Sequence, residues 1–163
     1  MRKQALSILV ENTSGVLSHI SGLFSRRGYN IDSFSSGVTA DPRYTRITIV
    51  ASGDEQILEQ IEKQLNKKLD VIKVKTLSQE QCYTRELMLL KVKYNKNNRR
   101  DIIEICDIMK TEIVDMSKHF MMLQICDSPE KIDTLIKMLQ SISIVEVART
   151  GTLALSKCAE NDD

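Results

Sequence analysis

The sequence predicts an α+β chain made of two ferredoxin-like βαββαβ units. Three observations carry that prediction. Runs rich in β-branched residues alternate with stretches whose apolar residues recur at helical spacing, in the order strand, helix, strand, strand, helix, strand. The same order occurs again after the polar run Ser78-Gln79-Glu80-Gln81. The length of 163 residues, with 42% hydrophobic and 28% charged residues, suits one domain or two small ones. The expected boundaries are 1–77 for the first unit, 78–84 for a linker, 85–156 for the second unit and 157–163 for a polar tail. Spacings differ between the halves, so topology repeats and sequence does not.

In the first unit, Ala5 to Val10 is an apolar run suited to a central strand. Asn12, Thr13 and Ser14 then offer helix-capping oxygens, and Gly15 opens a helix without a side chain. Val16, Leu17, Ile20, Leu23 and Phe24 form its apolar face, Arg26 and Arg27 complement the carboxyl end of its dipole, and Gly28 fits the left-handed stop. Tyr29 to Val38 alternates as a half-buried strand does, Asp41-Pro42-Arg43 is a turn, and Tyr44 to Ala51 completes a hairpin. Gly53-Asp54-Glu55 opens a second helix with Ile57, Leu58, Ile61 and Leu65 on its buried face, and Asp70 to Leu77 closes the unit as a strand.

The second unit follows the same plan. Glu86 to Tyr94 is a strand, Asn95 to Arg99 a polar turn, and Ile102, Ile103, Ile105, Cys106 and Met109 mark a helix. Glu112 to Met116 and Phe120 to Ile125 are strands, and Ser128-Pro129-Glu130 starts a helix with proline in its first turn. Ile132, Leu135, Ile136 and Leu139 give that helix its apolar face, and Ile144 to Ala148 is the closing strand. Ala159 to Asp163 are expected to be disordered.

Composition excludes several functions. A net charge of +1 argues against a strong nucleic-acid binder, and the strands lack the paired aromatics that stack bases. No apolar run is long enough to span a membrane and no signal region precedes the first strand, so a cytoplasmic location is expected. With no tryptophan and 4% aromatics, the cores must be aliphatic. Cys106 and Cys126 fall in apolar patterns and read as core residues, whereas Cys82 lies in the connector and Cys158 in the tail. All four are expected as reduced thiols without catalytic work. His19 and His119 have no metal-ligand neighbours and read as surface residues. No nucleophile elbow, phosphate loop or dinucleotide fingerprint is present, so neither catalytic nor metal-binding residues are predicted.

One stretch remains for a ligand. A helix amino terminus with a bare glycine suits a carboxylate, and Asn12 and Asn30 can present amide oxygens to an ammonium group above an apolar sheet. That combination fits a free amino acid. The other reading of the same residues is that Asn12 caps the helix and Asn30 fixes a turn.

Ser7-Ile8-Leu9-Val10-Glu11-Asn12, Gly15-Val16-Leu17 and the run Gly22-Leu23-Phe24-Ser25-Arg26-Arg27-Gly28-Tyr29-Asn30-Ile31 resemble the ACT domain of the acetolactate synthase (acetohydroxyacid synthase) small subunit. The likeness continues through Asp41-Pro42, Arg46 to Val50, Leu58 to Lys67, Arg85 to Leu89 and Val145 to Gly151, nearly the whole chain. It departs at Thr13-Ser14, where many members carry a proline before the glycine. The resemblance implies a non-catalytic regulatory subunit of branched-chain amino acid biosynthesis. Such a subunit activates a catalytic subunit and confers feedback inhibition by valine or a related branched-chain amino acid. It implies ACT domains paired side by side as a homodimer, with the effector at their interface. Asn12, Gly15, Val16 and Asn30 match the family's effector-binding positions. Thiamine diphosphate, magnesium and FAD would belong to the catalytic partner, leaving no cofactor in this chain. In the dimer, the first strand and first helix are expected at the interface. The alternative is a free-standing tandem-ACT regulator that senses an amino acid without a catalytic partner.

Overall fold

The computed structural model describes residues 2–78 and 80–158. Ala159 to Asp163, expected as a disordered tail, lie outside the described residues. The chain forms two compact bodies: one runs to Tyr83 and takes back the stretch beginning at Thr152, and the other is Thr84–Gly151.

The first body contains β1 (Arg2–Glu11), α1 (Val16–Arg26), β2 (Asn30–Val38), β3 (Tyr44–Gly53), α2 (Glu55–Leu65) and β4 (Val71–Leu77). Its sheet is antiparallel in the order β2-β3-β1-β4. Alternation along the strands sends Leu6, Ile8 and Val10 of β1 and Ile47, Ile49 and Ala51 of β3 to one face, where both helices pack. Val16, Ile20, Leu23 and Phe24 of α1 and Leu58, Ile61 and Leu65 of α2 complete that core. Leu17, expected on the apolar face of α1, is 44% exposed: one residue on from Val16, it is turned away from the sheet. Asp54 caps α2 by accepting the Ile57 N–H at 2.9 Å. Gly28, at φ 66°, ends α1 in a Schellman arrangement, with Tyr29 N–H donating to the Phe24 carbonyl and Gly28 N–H to that of Ser25.

Two expectations need correction in this body. The first strand cannot meet a second copy through its edge, because β1 is hydrogen-bonded on both sides; the free edges are β2 and β4. The chain also returns after residue 151. A strand not foreseen, β9 (Leu153–Ser156), pairs with the strand that begins at Cys82 and packs against β1 and β4. Thr152 N–H donates to Ser33 Oγ at 2.7 Å, and Ala154 joins Leu77 and Cys82 in a small cluster against Ala5. β9 falls inside the stretch expected as 85–156, and by its contacts it packs with the first body. Cys82, assigned to a polar connector, is buried beneath that strand.

The second body contains β5 (Cys82–Lys93, entering from the first body), α3 (Arg99–Met109), β6 (Glu112–Met116), β7 (Phe120–Asp127), α4 (Pro129–Met138) and β8 (Ile144–Arg149). The path β6-β7-β5-β8 repeats the order of the first sheet, and β9 pairs with β5 off that path. Met88, Leu90 and Val92 of β5 and Met121, Leu123 and Ile125 of β7 face α3 and α4. Ser128 caps α4 by accepting the Lys131 N–H, ahead of Pro129. Cys106 is buried as expected, and burial pushes its thiol up to about 11. Cys126 is exposed, contrary to expectation: it follows the inward Ile125, and the two-residue period of a strand turns it to the other face. No helix among the described residues is long and apolar enough to cross a membrane.

Candidate functional site

The turn from Asn12 to Gly15 sits where β1 hands the chain to α1. Gly15 occupies the cap position with φ 89°, a left-handed conformation, and no side chain caps the helix. The oxygens of Asn12, Thr13 and Ser14, expected to do so, are placed elsewhere. Asn12 instead fastens the turn to the β2–β3 hairpin. Its Nδ2 donates to the Pro42 carbonyl at 2.9 Å, its Oδ1 accepts from Thr45 Oγ1 at 3.1 Å, and its N–H donates to the Arg43 carbonyl at 2.7 Å. Neither reading of Asn12 from the sequence anticipated this role. The Asp41-Pro42 turn was legible, but only the register Val10 opposite Thr45 and Glu11 opposite Tyr44 brings it under Asn12.

A Cβ built on Gly15 meets no atom within 4 Å, so the space in front of the helix amino terminus is open. The first-turn amides, with the positive end of the helix dipole, favour an anion there. Val16 contributes backbone only, since its side chain is 5% exposed and belongs to the core. One turn on, His19 is exposed and pairs with Asp70 at 3.0 Å.

Asn30 is elsewhere. It begins β2 opposite Ser52, which in turn lies opposite Lys3 of β1. Its Nδ2 donates to Asp32 Oδ1 at 2.8 Å, and the other oxygen of Asp32 accepts from Ser52 Oγ and faces Lys3 at 3.6 Å. Asn12, just past β1, lies nine positions beyond Lys3, about 30 Å at the usual strand rise. Within one chain, Asn12, Gly15 and Val16 are brought together and Asn30 is held at the opposite end of the sheet.

Two family models match this chain. One, described as the AHAS small subunit-like ACT domain, covers residues 6–73, and the other, the small subunit of acetolactate synthase, covers residues 85–158. The acetolactate synthase isozyme 3 small subunit of Salmonella typhimurium is 41% identical over 95% of this chain and 96% of its own length. The probable acetolactate synthase small subunit of Methanothermobacter thermautotrophicus is 42% identical over 93% of this chain and 91% of its own. The crystal structure of the acetolactate synthase small subunit from Thermotoga maritima superposes with a TM-score of 0.90 at 33% identity, covering 98% of this chain and 99% of that one. Likeness of this extent, running through both βαββαβ units, places the chain in the family of acetolactate synthase small subunits.

Proposed function

We propose that this chain is a regulatory subunit that activates the catalytic subunit of acetolactate synthase and makes it sensitive to valine or a related branched-chain amino acid. Catalysis, with thiamine diphosphate, magnesium and FAD, is assigned to the partner. The observation that carries the effector site is the open, uncapped amino terminus of α1 at Gly15. Its amides suit the effector's carboxylate.

The distant Asn30 supports a site shared between two copies. β2 is a free sheet edge with Asn30 at one end and Val38 at the other. The Val38 end adjoins the Asn12 turn through Thr39, Pro42 and Arg43. Antiparallel pairing of β2 with the β2 of a second copy would set Asn30 of one protomer beside the Gly15 turn of its partner. Two equivalent sites would result, and an effector bound in them would bias the dimer toward one arrangement that the catalytic subunit senses.

The test is acetolactate formation by the catalytic subunit with the full chain, with and without valine. Asn30→Ala removes a hydrogen bond to a charged group, expected to weaken valine about 10- to 150-fold. Gly15→Asp places a carboxylate where the ligand's would lie, and aspartate tolerates a left-handed backbone better than most residues, so the chain should fold and activate while resisting valine. Asn12→Ala is a poorer probe, because it also removes two hydrogen bonds of the fold. Folded Asn30 and Gly15 variants that remain fully valine-sensitive would refute the site.

A further inference from the structure

The helix-free face of the first sheet is ordered in rows across the strands. The register aligns Ser33, Val50, Ala5 and Leu77 in one row, Ser35, Thr48, Ser7 and Lys75 in the next, and Gly37, Arg46, Leu9 and Lys73 in a third. β9 covers the first row. It enters at Ser33, whose hydroxyl accepts the Thr152 N–H, and packs Ala154 by Ala5 and Leu77.

The other two rows keep this pattern of small residues on β2 and long side chains on β4, but carry three cations. Arg46 and Lys73 flank Leu9, and Lys75 lies beside Ser7. All three cations are exposed, and among the described residues none forms an ion pair. Arg46 Nη1 donates to Ser7 Oγ at 2.9 Å, which holds the guanidinium over the sheet. No carboxylate stands in these rows; the nearest on this face is Glu11, opposite Tyr44 at the end of β1. Ile72, left over by the bulge between Leu9 and Val10, is 49% exposed beside Lys73.

Ser7 and Thr48 are buried beneath the longer side chains of these rows. We propose that the accessible side chains of the two rows, Arg46, Lys73 and Lys75 with Leu9 and the neighbouring Ile72, form a docking surface for an extended acidic segment of the catalytic subunit, lying alongside β9. This rests on the regulatory reading above. A second copy is a poor occupant, since it would present the same cations to these. An acidic segment instead supplies opposite charge to Arg46, Lys73 and Lys75, apolar contact for Leu9 and Ile72, and main-chain N–H groups for Ser35 as Thr152 does for Ser33.

The test compares the full-length chain with the triple variant Arg46→Glu, Lys73→Glu, Lys75→Glu, and with Lys67→Glu, an exposed position just past α2, as control. Affinity for the catalytic subunit is titrated at about 50 mM and 500 mM salt, and valine and inorganic phosphate binding to each chain alone are measured by calorimetry. The triple variant is expected to bind the catalytic subunit at least about tenfold more weakly at low salt, with the gap narrowing at high salt, while valine binding and the control are unchanged. A folded, valine-binding triple variant that assembles with wild-type affinity would overturn the proposal. Phosphate binding lost in that variant with assembly intact would assign the patch to a small anion and overturn it equally. If the wild-type chain itself does not bind the catalytic subunit, the regulatory reading fails first and takes this proposal with it.

Discussion

The two units share strand order and helix placement, yet they differ where the first strand meets the first helix. In the first unit the turn ends at Gly15, left-handed and without a side-chain cap, and Asn12 is committed to the neighbouring hairpin. In the second, the side chains of the turn fold back on it. Asn95 Oδ1 accepts from the N–H groups of Asn97 and Asn98 at 2.8 and 3.1 Å, and Asn98 Oδ1 accepts the Asn95 N–H at 2.8 Å. Neither helix start carries a side-chain cap; the second unit's turn is tied together by its own asparagines, and the first unit's is tied to the neighbouring hairpin. The same fold thus starts one helix on a left-handed glycine and the other on an asparagine, through local turn chemistry alone.

The units also differ in their ion pairs and in their helix ends, which makes the comparison testable. The largest expected effect concerns the ion cluster of the second unit. Glu86 is 4% exposed and accepts from Arg149 through both oxygens at 2.7 and 2.9 Å, while Asp133 takes a third bond at 2.9 Å. Glu86 is the main cause holding the Arg149 guanidinium even more firmly charged than usual, and Asp133 adds to it. Arg149→Ala leaves a buried carboxylate without its partner and should cost about 3–5 kcal/mol in denaturant titration. The double variant Glu86→Leu, Arg149→Leu should cost clearly less; equal losses would show that packing around Arg149, and not the stranded charge, sets the penalty.

The helix ends predict a smaller pair of effects with opposite signs. α1 stops at Gly28 with φ 66°, whereas α3 stops at Lys110 with φ 57°, the sole non-glycine residue at positive φ among the described residues. Gly28→Ala should destabilise by about 1 kcal/mol and Lys110→Gly should stabilise by about 0.5–1 kcal/mol, both read as midpoint shifts in urea. A destabilising Lys110→Gly would mean that the lysine side chain outweighs its backbone strain. Next to it, Thr111 Oγ1 is buried without a hydrogen-bond partner, a second imperfection that the first unit's helix end lacks.

The smallest effect is a pH dependence confined to the start of α4. Lys131, at 2.5 Å, and then the Ser128 N–H hold the Asp127 carboxyl below the usual carboxylate range. A lowered folded-state value means that the stabilisation is present above the unfolded-state value near pH 4 and is lost as pH falls through the folded one. Because the pair is partly exposed, Asp127→Asn should cost no more than about 0.5 kcal/mol at pH 7, and the difference from wild type should vanish by about pH 2. A difference that persists into acid would point to the hydrogen bond with Ser128 as its source.

The sequence by itself determined the order of the elements as far as β8, the two βαββαβ units, and most of the helix faces and ends. Apolar period, the Asp54 cap, the Ser128-Pro129 start and the Gly28 stop are short-range signals, each decided within a few residues. It also carried the resemblance to the family. Tertiary structure decided what depends on partners distant along the chain. Arg149 reaches Glu86 across 63 positions, Thr152 reaches Ser33 across 119, and β9 thereby packs on the first body. Leu17 and Cys126 sit in apolar patterns but face outward, because the neighbouring element, not the pattern, determines which side is covered. Asn12 and Asn30 flank the same helix in sequence. Their separation to opposite ends of the sheet follows from the register of β1, β2 and β3, which local sequence does not encode.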